Sequence, residues 1–156
     1  MTQLDTLAYE FFREFARCEY CLKAIGFREE GKDGRAAKAN WRGKFAQEVQ
    51  SVIEGSSSTE VQAAVTYFLK TPPWKQVIRN KHLDWDDTLP DHKNNTELVL
   101  LLVCRVRNNL FHGGKFNGRY FEPQRSEELM THGLVVLRAC ITNHPKMNEA
   151  YVNREE

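Results

Sequence analysis

Apolar residues recur at Leu4, Ala8, Phe11, Phe15, Cys18, Leu22 and Ile25, in alternating steps of four and three. Steps of that size return a side chain to one face of a 3.6-residue helix, so the spacing predicts a long amphipathic helix that stops at Gly26. The polar stretch from Arg28 to Gly34 reads as a loop. Trp41, Phe45, Val49, Val52 and Ile53 predict a second helix, which Gly55 ends. Ser57-Ser-Thr-Glu60 has the spacing of a capping box. Val61, Ala64, Val65, Phe68 and Leu69 follow it as a third helix, broken by Thr71-Pro-Pro-Trp74.

From Trp74 to Lys93 the apolar residues keep no period. The expectation there is irregular structure with at most one short helix, packed over the core by Trp74 and Trp85. Asn94-Asn-Thr-Glu97 is a second capping box. The helix it opens, Leu98 to Phe111, is apolar almost all round in its first half, which marks it as central. Gly113-Gly114 ends it. Ser126, Glu127 and Glu128 open a last helix with Leu129, Leu134, Leu137, Cys140 and Ile141 facing inward and Pro145 just past its end. No segment shows convincing strand alternation. The pattern predicts an all-α fold, a single-domain bundle of four to five helices over residues 1–145. A polar, frayed C-terminal tail over 146–156 completes the expectation.

Composition narrows the classes. A chain of 156 residues has room for one core. Lys plus Arg is 22 against 21 for Asp plus Glu, a formal net charge of +1, so bulk charge is not what would hold a nucleic acid. A local basic site remains compatible with that balance. The longest purely apolar run, Leu98–Cys104, is seven residues, against about 20 for a membrane span. The N-terminal Met-Thr-Gln-Leu-Asp has no basic n-region, so no secretory signal is expected, and the chain reads as cytoplasmic without membrane contact.

Cysteine usage agrees with that compartment. Cys18 and Cys21 form a C-x-x-C inside the first helix, while Cys104 and Cys140 stand apart. A zinc site usually needs two close pairs, and a redox C-x-x-C belongs at a strand–helix junction. All four cysteines therefore read as small buried hydrophobes, and no metal or other cofactor is expected. Asp84-Trp-Asp86-Asp87 reads as an acidic loop around a packed tryptophan. His82, His92, His132 and His144 read as scattered surface or partly buried residues. P-loop, nucleophile-elbow and H-E-x-x-H motifs do not occur in the sequence.

One segment concentrates chemistry: Arg105-Val-Arg107-Asn108-Asn109-Leu-Phe-His112-Gly-Gly-Lys115. It sets two arginines, two amides and a histidine at the C-terminal end of the central helix. Arg107 and His112 are five positions apart, about 140° around an ideal helix, so they share a face only if the helix unwinds at Gly113. One reading is a helix end decorated with cations that the helix dipole favours. The other is an arginine–histidine site for a phosphate, because guanidinium grips phosphate in a bidentate fork and an ordinary imidazole titrates near ~6.5. Glu19 lies about 40° from Phe15, inside the apolar stripe of the first helix. It either pairs with Arg105 or Arg107 or reaches solvent. Lys44, Lys115 and Arg119 are candidate linings of a basic cleft.

Arg107-Asn-Asn-Leu-Phe-His112 fits the R-x(4–6)-H motif of the HEPN superfamily, in which a polar residue such as Asn108 follows the arginine. Phe15-Ala-Arg-Cys-Glu19-Tyr-Cys-Leu22-Lys23 resembles the opening helix of a small stand-alone HEPN family of bacterial genomes and plasmids. The resemblance implies an all-α homodimer whose paired motifs meet in a cleft. It implies a metal-independent endoribonuclease that acts as a toxin, in defence or in RNA processing, with an antitoxin as a further partner in the first case. His112 would then be the general acid/base, Arg107 would hold the scissile phosphate, and Asn108 would orient one of them. Glu19, Arg105 and Lys115 would support the site or touch substrate. The RNA 2′-hydroxyl would be the nucleophile, which selects RNA over DNA. Other members of the superfamily are inactive, and the alternative is a silent module that binds nucleotide, RNA or a protein.

Overall fold

A computed structural model describes residues 1–113 and 122–153. The chain runs α1 (Gln3–Ala24), α2 (Gly43–Glu54), α3 (Thr59–Lys70), β1 (Lys75–Arg79), β2 (His82–Asp86), α4 (Asn95–Phe111), α5 (Pro123–Thr142) and α6 (Pro145–Val152). It is mostly helical, with one two-stranded antiparallel hairpin. Helix α5 packs on α1, α3 and α6, and α4 packs on α2, α3 and α5, so these two helices carry the bundle. No helix among the described residues is long and apolar enough to cross a membrane.

The apolar stripe of α1 folds as its spacing predicts: Phe11, Phe15, Cys18 and Leu22 are buried. Phe15 stacks on Trp41 at 5.3 Å, and Trp41 meets Phe45 edge-on at 6.2 Å, which ties α1 to the start of α2. In α4, Leu98, Val99, Leu100, Leu102 and Val103 are all buried, as expected of a central helix. Asn94 caps it by accepting the Glu97 N–H at 2.9 Å. The buried Glu97 carboxylate does not turn back on that cap. It accepts the Gly43 N–H at 3.3 Å and stands 3.8 Å from Arg42, so it serves the N-terminus of α2, whose own N-cap Arg42 offers no side-chain acceptor. The third helix is capped by Ser58, one residue into the expected box. A full capping box forms at Thr2 and Asp5 instead.

Three expectations need correction. Residues 75–86 are not irregular or helical but a hairpin, with β1 and β2 paired in register from Lys75↔Asp86 to Arg79↔His82, while 87–93 are irregular as expected. Asn80 and Lys81 take φ of 49° and 66°, the pair of positive values that a two-residue type I′ turn requires. Trp74 does not seal the core there, being 51% exposed, whereas Trp85 is half-buried. The supposed tail from Lys146 winds into α6, which buries Met147 against α1 and α5. His144 caps it: its Nδ1 accepts the Met147 N–H at 3.2 Å, and its Nε2 faces Glu48 at 3.5 Å. The last long helix begins at Pro123 rather than Ser126, giving six helices among the described residues.

The hairpin carries an acid-sensitive contact. Asp86 accepts the Thr88 N–H at 2.8 Å and pairs with Arg79 at 3.1 Å. The Thr88 bonds, with Arg79 behind them, hold its carboxyl down at about 2, below the ordinary 3.8. A depressed carboxylate stabilises the fold above its unfolded pKa and loses that contribution as pH falls through the folded value. The hairpin amides should therefore lose hydrogen-exchange protection between about pH 4 and pH 2, before those of α4 and α5. Asp86→Asn should abolish that selective step.

Candidate functional site

The last two turns of α4 send their polar side chains in different directions, because successive residues rotate by about 100°. Arg105 points at the hairpin. Its Nη1 donates to the carbonyls of Pro73 at 3.2 Å and Thr88 at 3.1 Å, one before β1 and one after β2. Burial lowers its pKa from the usual arginine value. Asn109, buried, donates Nδ2 to the Trp74 carbonyl at 2.9 Å. These two side chains therefore fasten both feet of the hairpin to α4.

Arg107 points the other way, toward α1. Its Nη1 donates to Asn108 Oδ1 at 3.0 Å, and its guanidinium lies 4.7 Å over the Phe111 ring and 5.8 Å from that of Phe15. Phe111 in turn stacks on Phe12 at 5.7 Å. Arg107, Phe11, Phe12, Leu110 and Phe111 line a depression of about 230 Å³ between α1 and α4.

His112 is the exposed C-cap of α4, and its backbone N–H closes the last turn on the Asn108 carbonyl at 2.9 Å. Gly113 follows at φ 79°, the left-handed step that ends a helix most cheaply when the residue is glycine. The imidazole lines a second cleft of about 450 Å³, between α4 and the foot of the hairpin. Its walls include Lys75, Gln76, Arg105, Asn108 and Asn109. Among the described residues, two cations, one imidazole and three amides meet there with no carboxylate, a lining suited to an anion. Cys104 also lines it, but burial pushes its thiol up, with Glu19 adding to the effect and Arg107 opposing it. That sulfur stays a thiol and is a poor nucleophile.

The structure thus brings Arg105, Asn108 and His112 to one cleft and Arg107 to the neighbouring depression. Asn108 stands between them, lining the first and holding the guanidinium of the second. The 140° separation persists, because α4 stays helical through Phe111. Of the two readings of Glu19, pairing with Arg105 or Arg107 or reaching solvent, the described residues show no ion pair to either arginine. Glu19 is half-buried and in electrostatic reach of Cys104. Arg105 is already engaged by carbonyls and Arg107 by Asn108 and two rings. Lys115 and Arg119 lie outside the described residues, and Lys44 is exposed on the first turn of α2.

Lys75 is the residue that sequence reasoning missed. Its segment shows no period, and only the hairpin brings it beside α4. Cys18, Cys21, Cys104 and Cys140 are free thiols. No group of three or more His, Cys, Asp or Glu side chains converges among the described residues. No protein-family model, curated protein or solved structure matches the chain.

Proposed function

We propose that the chain is a HEPN-type, metal-independent endoribonuclease that works as a homodimer. The observation that carries this reading is the exposed His112 in a cleft whose described lining holds cations and amides and no carboxylate, one turn past the Asn108 that holds Arg107. A phosphodiester suits such a lining, and an imidazole is the side chain suited to move its protons.

In the reaction, the 2′-hydroxyl gives its proton to an imidazole and its oxygen attacks the adjacent phosphorus. The bond from phosphorus to the 5′-oxygen breaks, and that oxygen takes a proton from a second imidazole, the His112 of the other copy. The products are a 2′,3′-cyclic phosphate and a 5′-hydroxyl. Arg107 offsets the charge that builds on the phosphoryl oxygens, and Asn108 fixes the guanidinium. Purified protein should cut mixed RNA in EDTA, leave 2′,3′-cyclic phosphate or 3′-phosphate ends, and spare DNA of the same sequence. Cleavage that chelation abolishes, or that treats DNA equally, rejects the mechanism.

One observation favours the silent binding module: within a subunit Arg107 and His112 face separate depressions, and Arg107 is occupied by two aromatic rings. RNA binding without cleavage over a broad substrate panel would select that reading.

A further inference from the structure

The cleft that receives His112 does not receive Arg107, so within a subunit a different group must hold the phosphate of any RNA lying against the imidazole. Arg105 lines the cleft as well, but its Nη1 donates to the Pro73 and Thr88 carbonyls, which pins the guanidinium against the feet of the hairpin. We propose that Lys75, at the foot of β1, is the substrate-binding cation of this cleft, gripping an RNA backbone phosphate beside His112; the assignment deepens the ribonuclease reading and rests on it for its substrate class.

Three observations carry it. Lys75 is exposed and lines the same cleft as His112 and Asn108. Its cross-strand neighbour is Asp86, the obvious internal partner, yet Asp86 is taken by Arg79 at 3.1 Å and the Thr88 N–H at 2.8 Å. The Lys75 ammonium forms no ion pair among the described residues, so its charge is uncommitted there. Its backbone, by contrast, is anchored: the carbonyls of the two residues before it, Pro73 and Trp74, accept from Arg105 and Asn109. A flexible ammonium on a fixed backbone suits a single phosphate oxygen, and about 450 Å³ is within the ~300–1,000 Å³ of sites that take small ligands.

The test uses the full chain and a single-stranded RNA pool of mixed sequence with methylated 2′-hydroxyls, which can bind but cannot be cut. Lys75→Ala should weaken binding about tenfold, and reduce the slope of log K against log salt by about 0.7, the loss of one phosphate contact on a single strand. Lys75→Arg should keep both the affinity and the slope. Lys81→Ala, in the turn of the same hairpin, should leave both at the wild-type value. If Lys75→Ala matches Lys81→Ala, or if the wild-type chain does not bind the pool, the assignment is overturned. Cleavage of ordinary RNA by the same preparations is read separately: wild type and His112→Ala cutting alike rejects the ribonuclease mechanism, while Lys75-dependent binding would still place RNA in this cleft.

Discussion

His112→Ala should lower RNA cleavage by about 10²–10⁴-fold, the usual loss when a general acid/base is removed. The structure makes this a clean experiment. The link of His112 to the helix is its backbone N–H on the Asn108 carbonyl, which alanine keeps. Its ring meets Phe111 edge-on at 5.7 Å in an exposed position, so truncation should change stability by no more than about 0.5 kcal/mol. Far-UV circular dichroism and the thermal midpoint should therefore match wild type, and sedimentation should give the same mass for both proteins. Arg107→Ala should lose comparable activity but is less clean, because it also uncovers Phe111 and releases Asn108. Equal cleavage by wild type and His112→Ala would transfer the function to the silent module.

The parts of the molecule that bury a face were legible in the sequence, and those that bury little were not. Phe11, Phe15, Cys18 and Leu22 repeat because α1 must cover the core, and the all-round apolar start of α4 follows from neighbours on several sides. The hairpin gave no such signal. Its cross-strand pair Ile78 and Leu83 is 76% and 74% exposed, so no burial selects an alternating pattern. Its turn uses Asn80-Lys81, and lysine at positive φ is a far weaker cue than glycine. Helix α6 was hidden by the opposite error: Pro145 reads as a stop behind α5, yet it is the first residue of the next helix, with His144 as its cap.

The candidate site divides along the same line. The cluster from Arg105 to His112 and its 140° divergence can be read from residue order alone. What Arg105 does cannot, because its acceptors are backbone carbonyls in a segment with no sequence period. Lys75 became visible only once the hairpin placed it beside His112.

The largest stability effect should come from the contact between α1 and α5. Phe11 is buried and makes one wall of the Arg107 depression. Gly133 of α5 faces it so closely that a Cβ there would lie 2.7 Å from Phe11 Cε2, inside any real contact. Glycine is therefore the residue that lets the ring sit flat against the helix, despite costing about 1 kcal/mol in propensity against alanine. Phe11→Ala should lower unfolding free energy by about 3–5 kcal/mol, or roughly 6–20 °C in midpoint for a domain of this size. Gly133→Ala alone should be destabilising on balance, with about 1–3 kcal/mol of overpacking opposed by the gain in propensity. Combined with Phe11→Ala the same substitution should reverse sign, because the ring it strikes is gone and the new methyl fills part of the cavity. Urea unfolding of the four proteins closes a double-mutant cycle, and a coupling of about 0.5–3 kcal/mol is expected. Additive losses would mean that α5 shifts to accept the methyl and that Gly133 does not set the distance between the two helices. If the coupling holds, Gly133 sets how close Phe11 sits to α5, and with it one wall of the depression that receives Arg107.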